Sequence, residues 1–299
     1  MMRPFEMAPA EGGLDLSGRI ALVTGGGTGI GLIIAKSFAE HGAKVYITGR
    51  RMEVLEKAAS ESSLEGQLVP LQMDVTNKDS IRNAVQVVAQ NDGKLDVLVN
   101  NAGIAGPTTF FPFISDKSAP EHVNLGDNLF EKSRFESWNE VLQTNTVAPF
   151  FVTMGFLSLL EKAAKSRASG EGETSSVINI SSAGASMNLS MNSFTYPVSK
   201  AGINHLSQSM SIEFAVNKIP VRVNCIEPGM FPSELMGTRE ELTKVAKEPR
   251  PGGFMAAPIG RAGKDEELGM AAVFLASRAG GFTNGIVMRV DGGLALVNP

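Results

Sequence analysis

"RIALVTGGGTGIGLIIAKSF" (residues 19–38) decides the fold. Arg19 to Thr24 is a short, mostly apolar run of strand length, a glycine-rich turn follows, and apolar residues then recur at helical spacing. Gly25, Gly29 and Gly31 are spaced so that the turn is tight and its backbone can approach a phosphate closely. The free N–H groups of the helix that the turn opens, from Thr28 through Ile30, would receive a pyrophosphate. A glycine pattern alone is a weak signal. The strand before it, the helix after it and a second such unit behind it make this one specific.

Outward from that turn, short runs rich in Val and Ile alternate with longer segments of helical period, the pattern of βαβ units around a parallel sheet. Strands are expected at 19–24, 44–48, 68–73, 95–99, 176–181, 221–226 and 286–290, several of them continuously apolar, as when helices cover both faces. Helices are expected at about 30–41, 51–60, 78–90, 136–164, 196–217 and 265–277. Thr76 and Asp79 stand at capping-box spacing before the third. The fold class is therefore α/β: one doubly wound Rossmann domain from residue 16 to 299, with a seven-stranded parallel sheet and helices on both faces. Residues 106–135, 165–175 and 228–262 break the rhythm and read as long connections, the last as a substrate loop.

Composition bounds the partners. The 299 residues are 43% apolar and 19% charged with a net charge of −4, which fits a globular protein and leaves no electrostatic footprint for nucleic acid. Scattered basic residues give no membrane-surface patch. Cys225 is the single cysteine, so no intrachain disulfide or thiolate cluster can form, and its apolar strand suits an inert thiol. The first 15 residues carry no apolar core of signal-peptide length and read as a loose tail. The most apolar run, Val147 to Leu160, is shorter than a membrane span. These observations lead to the expectation of a cytoplasmic protein. His41, His122 and His205 are isolated and lack metal-ligand spacing, so no metal site is expected.

The second strand bears on the cofactor. Folds of this kind that prefer the non-phosphorylated dinucleotide place Asp or Glu at its end, on the ribose hydroxyls. Here it ends "ITGRR": Gly49 stands where the carboxylate would be, and Arg50 and Arg51 can form charge-assisted bonds to a 2′-phosphate, favouring NADP(H). The alternative is a solvated arginine pair opening a helix. "MDV", with Asp74 and Val75, closes the third strand and "NNAG", with Asn101, Ala102 and Gly103, closes the fourth. Both fall on the edge where such sheets bind ligands.

Further along, "YPVSK" places Tyr196 and Lys200 one helical turn apart on one face. Hydride addition to a ketone leaves charge on oxygen, which calls for a proton donor and hydrogen-bond donors aimed at it. A free phenol, with a pKa of about 10, is a poor donor and acceptor near neutrality. A neighbouring ammonium is expected to favour phenolate.

With Thr24 and Gly25 to Gly31, Asn100 to Gly103, Asn145, Ser182, Tyr196, Lys200 and Pro228-Gly229 all in order, the chain resembles the short-chain dehydrogenase/reductases from about residue 16 to 295. "YPVSK", "PGMFPSEL" and "VDGG" are most similar to its ketoacyl-reductase-type members, the rhamnolipid-pathway type included. The resemblance implies that Tyr196 is the general acid/base and that Lys200 lowers its pKa and bonds the nicotinamide ribose. It implies that Ser182 orients the carbonyl and Asn145 holds a relay water. It also implies that Pro228 and Gly229 turn beneath the nicotinamide, with Phe231 and Ser233 against the carboxamide and phosphates. Ser181 competes with Ser182, although strand alternation sends its side chain the other way.

The expected activity is NADPH-dependent reduction of a 3-oxoacyl or secondary-metabolite ketone. The rivals are oxidation of a polyol, steroid or sugar alcohol, and a cofactor-binding sensor or scaffold without turnover. Met230, Phe254 and Met255 are either a substrate wall or core filler. Ile203, Leu206, Met210 and Phe214 form a helical stripe that could face the sheet or another copy in a dimer or tetramer, which family members commonly form.

Overall fold

A computed structural model describes residues 13–62, 67–107, 125–167, 173–190, 193–249 and 254–299. Most of the expected N-terminal tail, and parts of the three long connections, lie outside these.

Seven strands pair in parallel in the order β3-β2-β1-β4-β5-β6-β7. They are β1 (Ile20–Thr24), β2 (Lys44–Gly49), β3 (Leu68–Gln72), β4 (Val97–Asn100), β5 (Ser175–Ile180), β6 (Val221–Pro228) and β7 (Val287–Val290). The order reverses at β1, which lies between β2 and β4, and that is where a doubly wound sheet opens its ligand crevice.

Side chains alternate between two cores because strand period is two. Ala21, Val23, Val45 and Ile47 point to one face, where α1 (Gly29–Glu40) and, later in the chain, a helix at 265–276 bring Ile34, Phe38, Leu268 and Val273. Leu22, Tyr46 and Leu98 point to the other, against Ile81 and Val88 from a helix at 78–91, Phe156 and Leu160 from one at 148–166, and Met210 and Phe214 from one at 195–216. In chain order the remaining helices are α2 (Met52–Ser60), α3 (Lys78–Asn91), α4 (Leu125–Lys132), α5 (Phe135–Leu142), α6 (Ala148–Ser166), α7 (Thr195–Val216), α8 (Arg239–Lys247), α9 (Asp265–Ala276) and α10 (Leu294–Val297). The stripe Ile203, Leu206, Met210 and Phe214 is thus core, not an assembly face.

Three expectations are corrected. The cap of α3 is Asn77, whose side chain accepts from the N–H groups of Asp79 and Ser80, while Thr76 donates instead to Asp74. Asn77 wins because its extended backbone, not that of Thr76, immediately precedes the helix. The connection at 106–135 contains α4 and the first residue of α5. The helix expected at 136–164 runs from 135 to 166 but is interrupted by one π-turn at Gln143–Val147. Together the three pieces span 32 residues and form the one described helical segment long and apolar enough to cross a bilayer, and half of its apolar window is buried in the protein.

Candidate active site

The C-terminal ends of β1 to β5 open onto a cleft of about 480 Å³. Its phosphate end is built by glycine. Gly25 and Gly29 have φ of +62° and +52°, the left-handed region that glycine enters without strain. A Cβ on Gly31 would stand 2.2 Å from the Gly25 carbonyl oxygen, so only glycine lets α1 start this close to the turn. Thr28 precedes α1 in extended conformation and its side chain caps nothing, which leaves the first helical N–H groups directed at the cleft.

The end of β4 is stapled to this turn. The Thr24 hydroxyl accepts from the N–H groups of Asn101 and Ala102 at 2.9 and 3.0 Å, and Asn101 Nδ2 donates back to the carbonyls of Thr24 and Gly25. Gly103 packs where a Cβ would lie 3.1 Å from Asn145 Oδ1 and 3.5 Å from Lys200 Nζ.

At the outer end, Gly49, Arg50, Arg51, Asp74 and Val75 line the cleft. Arg51 reaches across to Glu234 at 3.0 Å, both side chains well exposed. Asp74 is held ionised: burial opposes its charge, but bonds from the Thr76 N–H and hydroxyl and the nearby Arg50 charge outweigh it and lower its pKa. Thr48 Oγ1 also faces this region, buried and without a partner. Gly49 carries no carboxylate that would repel a phosphate, and Arg50 and Arg51 line the cleft beside it. These residues fit a dinucleotide: uncapped helix N–H groups, a glycine cradle and an orphan hydroxyl along one wall.

At the inner end, α7 presents Tyr196 and Lys200 to the cleft. Lys200 Nζ lies 5.8 Å from the Tyr196 ring centroid and donates to the Ile180 carbonyl at 2.9 Å. Burial brings its pKa down to about 8, against the opposing influence of Cys225. Tyr196 moves the other way from the sequence expectation. Burial raises its phenol above the ordinary value, and the hydrogen bond with Ser182 only partly offsets this. The ammonium is not among the influences that set this shift; burial dominates it.

The two serines separate cleanly. Ser181 is buried, lines the cleft and donates to the Lys200 carbonyl at 2.8 Å, whereas Ser182 opens a short 3₁₀ turn (Ala183–Ala185), accepts from the Gly184 N–H at 3.2 Å and stands close enough to the Tyr196 phenol to draw its pKa down. Asn145, in the π-turn, accepts from Ile104 N at 2.9 Å and donates to Ile104 O at 2.8 Å and Ser199 Oγ at 3.0 Å. Its side chain is therefore a clamp between the segment that follows β4 and α7. Sequence reasoning missed Ser199, the buried serine of "YPVSK", which bonds the Tyr196 carbonyl and receives Asn145. An apolar-faced helix start with one buried-side hydroxyl was the available signal.

Not every expected residue reaches the cleft. Ser233 and Leu235 line it. Pro228 and Gly229 lie beneath, where a Cβ on Gly229 would strike Asp291 Cα at 2.7 Å. The Phe231 side chain is core, packed flat against Gly263, so only its backbone is available to a ligand. Met230 is likewise core, with Leu242, Ala246 and Leu294 around it and Phe254 packed alongside; Met255 is half exposed. Cys225 is buried, its thiol pushed up to about 12 by burial, and is inert near neutrality.

A family model described as short chain dehydrogenase matches residues 19–243. The chain is 38% identical to short-chain dehydrogenase/reductase VdtF of Byssochlamys spectabilis over 95% of both chains. It is 32% identical to the rhamnolipids biosynthesis 3-oxoacyl-[acyl-carrier-protein] reductase of Pseudomonas aeruginosa, over 94% of this chain and 98% of the relative. A solved structure described as the Pseudomonas aeruginosa RhlG/NADP active-site complex superposes with a TM-score of 0.77 at 30% identity, covering 97% of this chain and all of that one. With the glycine turn, Tyr196 and Lys200 gathered on one cleft, Ser182 beside the phenol and the match extending over most of its length, the chain belongs to the short-chain dehydrogenase/reductase family of oxidoreductases.

Proposed function

We propose that the protein reduces a ketone of the 3-oxoacyl or secondary-metabolite class to a secondary alcohol, using NADPH. The observation that carries this reading is the pairing of the two cleft ends: Tyr196 and Lys200 on one face of α7 within, and Gly49 followed by Arg50 and Arg51 without. NADPH, when bound, supplies the hydride. Tyr196 is kept as a neutral phenol by burial, the form that can give a proton to the developing alkoxide oxygen. Ser182 donates a hydrogen bond to the same oxygen, and Lys200, fixed by the Ile180 carbonyl, holds positive charge within reach of the phenolate that proton loss creates.

Arg50 and Arg51 would hold the 2′-phosphate, Asp74 and Val75 the adenine side, and the N–H groups of α1 the pyrophosphate. Two relatives support the reading by what they are: one is a 3-oxoacyl-[acyl-carrier-protein] reductase, the other a structure described as holding NADP. Val147 and Phe150 on the π-turn and α6, with Val198, Ile212 and Val216 on α7, remain exposed and support assembly into a homo-oligomer.

The test follows NADPH consumption against acyl-thioester, polyketide, sugar and steroid ketones, with Tyr196→Phe as control. Turnover that survives Tyr196→Phe overturns the mechanism. Tighter binding of NADH than NADPH overturns the cofactor assignment.

A further inference from the structure

Glu227 is the penultimate residue of β6 and fully buried, in a strand otherwise apolar or uncharged at its upper end. A carboxylate withdrawn from water is tolerated only when its oxygens are bonded. This one receives four bonds from three elements. Ser186 Oγ donates to both oxygens at 2.9 and 3.0 Å, Asn204 Nδ2 to Oε1 at 2.6 Å, and Arg289 Nε to Oε2 at 3.0 Å.

The identity of those elements gives the carboxylate its meaning. Ser186 closes the 3₁₀ turn that Ser182 opens. Asn204 lies four residues beyond Lys200 and eight beyond Tyr196, on the same face of α7. Its own carbonyl oxygen accepts from Cys225 Sγ at 3.2 Å, which fixes the orientation of its amide. Arg289 is the ladder partner of Glu227 on β7, so the ion pair also fixes the strand from which Glu227 reaches up.

We propose that Glu227 is a positioning residue for proton transfer: it holds the turn carrying Ser182 in register with the helix face carrying Tyr196 and Lys200. The inference rests on the reading of Tyr196 as the acid and Ser182 as its partner. A purely structural site could be filled by a methionine, without the cost of burying a charge. A carboxylate here accepts simultaneously from the turn and the helix, and no apolar side chain does. The Ser182 hydroxyl is what opposes the effect of burial on the phenol, and a shift of the turn would withdraw it. Of the charged or titratable groups, Lys200 on its own helix and Glu140 from α5 share the cleft with the phenol, while Cys225 from β6 faces Lys200 and Glu227, and Arg289 from β7 pairs with Glu227.

The experiment uses the full chain, NADPH and a ketone that the wild type reduces, with the corresponding alcohol for the reverse reaction. In Glu227→Gln, two donors face an amide NH₂ and the charge is gone. We expect kcat to fall about 10–100-fold with KM and NADPH affinity little changed, as for a group misplaced by about 1 Å. The pH at which alcohol oxidation reaches half its maximum should move upward, because the phenol has lost its hydrogen bond. Ser186→Ala, at a surface position, cuts only the arm to the turn and should show the same pattern more weakly; Glu227→Asp should recover part of the rate. Folded Glu227→Gln and Ser186→Ala with wild-type kcat and an unmoved pH profile overturn the proposal, and if Glu227→Gln does not fold, Ser186→Ala decides alone. If Tyr196→Phe retains turnover, the underlying reading has failed instead.

Discussion

Lys200→Met exchanges a buried ammonium for an apolar chain of similar length, and should raise stability at neutral pH while ending turnover. Lys200 is 5% exposed, and burial lowers its pKa from 10.5 to about 8. That difference of about 2.5 units is about 3 kcal/mol for keeping the lysine charged at neutral pH. Methionine avoids this cost but leaves the Ile180 carbonyl without the 2.9 Å ammonium bond, a loss of about 1–3 kcal/mol. A net gain of about 1 kcal/mol remains, or about 2 °C in midpoint for a chain of this size. Below pH 8 the lysine is charged in both folded and unfolded chains and the full penalty applies. Between about 8 and 10.5 the folded state gives up its proton first, the unfolded chain binds more protons, and wild-type stability rises with pH. Above 10.5 both states are neutral and the advantage of methionine vanishes. Thermal or urea midpoints of both proteins at neutral pH, at about 9 and above 10.5 test this. The reasoning is refuted by a variant more than about 2 kcal/mol weaker at neutral pH, or by a difference that does not change with pH.

Four further outcomes follow from the same geometry. Gly31→Ala places a Cβ 2.2 Å from Gly25 O and 2.5 Å from Asn101 Nδ2, and should cost about 1–3 kcal/mol in melting experiments while abolishing dinucleotide binding in a fluorescence titration. Ser182→Ala should lower kcat by about 10²–10³ with little change in midpoint, whereas Ser181→Ala, which loses a buried bond to the Lys200 carbonyl, should act mainly on stability. Arg51→Ala should weaken NADPH binding about tenfold and leave NADH unchanged; Glu234→Gln, which releases Arg51 from its ion pair, should tighten NADPH alone. Phe150→Glu combined with Ile212→Glu should yield a smaller species by light scattering, since both side chains are exposed on neighbouring helices.

The strands were legible because a sheet covered on both faces demands apolar residues at every position, and runs such as Val97 to Val99 leave no competing pattern. The glycine turn was legible for a related reason: the left-handed backbone of Gly25 and Gly29 and the close contact at Gly31 each exclude other residue types. What remained hidden depends on tertiary geometry. A π-turn adds one residue to a helix without disturbing the apolar period on either side, so 143–147 was invisible in the pattern around Asn145. Asn77 and Thr76 are both good caps, and only the backbone angles of the approaching chain choose between them. The pKa of Tyr196 depended on a balance of burial and hydrogen bonding that spacing along a helix does not contain. Glu227 did carry a signal, a lone acid closing an apolar strand just before Pro228-Gly229, whose importance appears only when Ser186, Asn204 and Arg289 converge on it.

Those convergences explain why so much polarity is buried beneath this cleft. Asn100 on β4 donates to Asn179 on β5 at 2.8 Å and to Thr153 on α6 at 3.0 Å; Asn179 donates to Ser207 on α7 at 2.8 Å. One layer higher, Ser181 donates to the Lys200 carbonyl and Lys200 Nζ to the Ile180 carbonyl, joining the end of β5 to α7, and Glu227 ties β6 to both the Ser182 turn and α7. Apolar strands with similar side chains on both faces specify register weakly, because a slipped neighbour buries nearly as much surface. A slip of one residue between β5 and β6 would bring Ile226 or Pro228 to the level of Glu227 and strand the amides and hydroxyls that now pair. The polar layers thus penalise every register but one, and in that register the strand ends set Ser182 against Tyr196. Stability of the sheet alone needed only the valines and isoleucines. The asparagines, serines and the single glutamate fix where its upper edge places a proton donor.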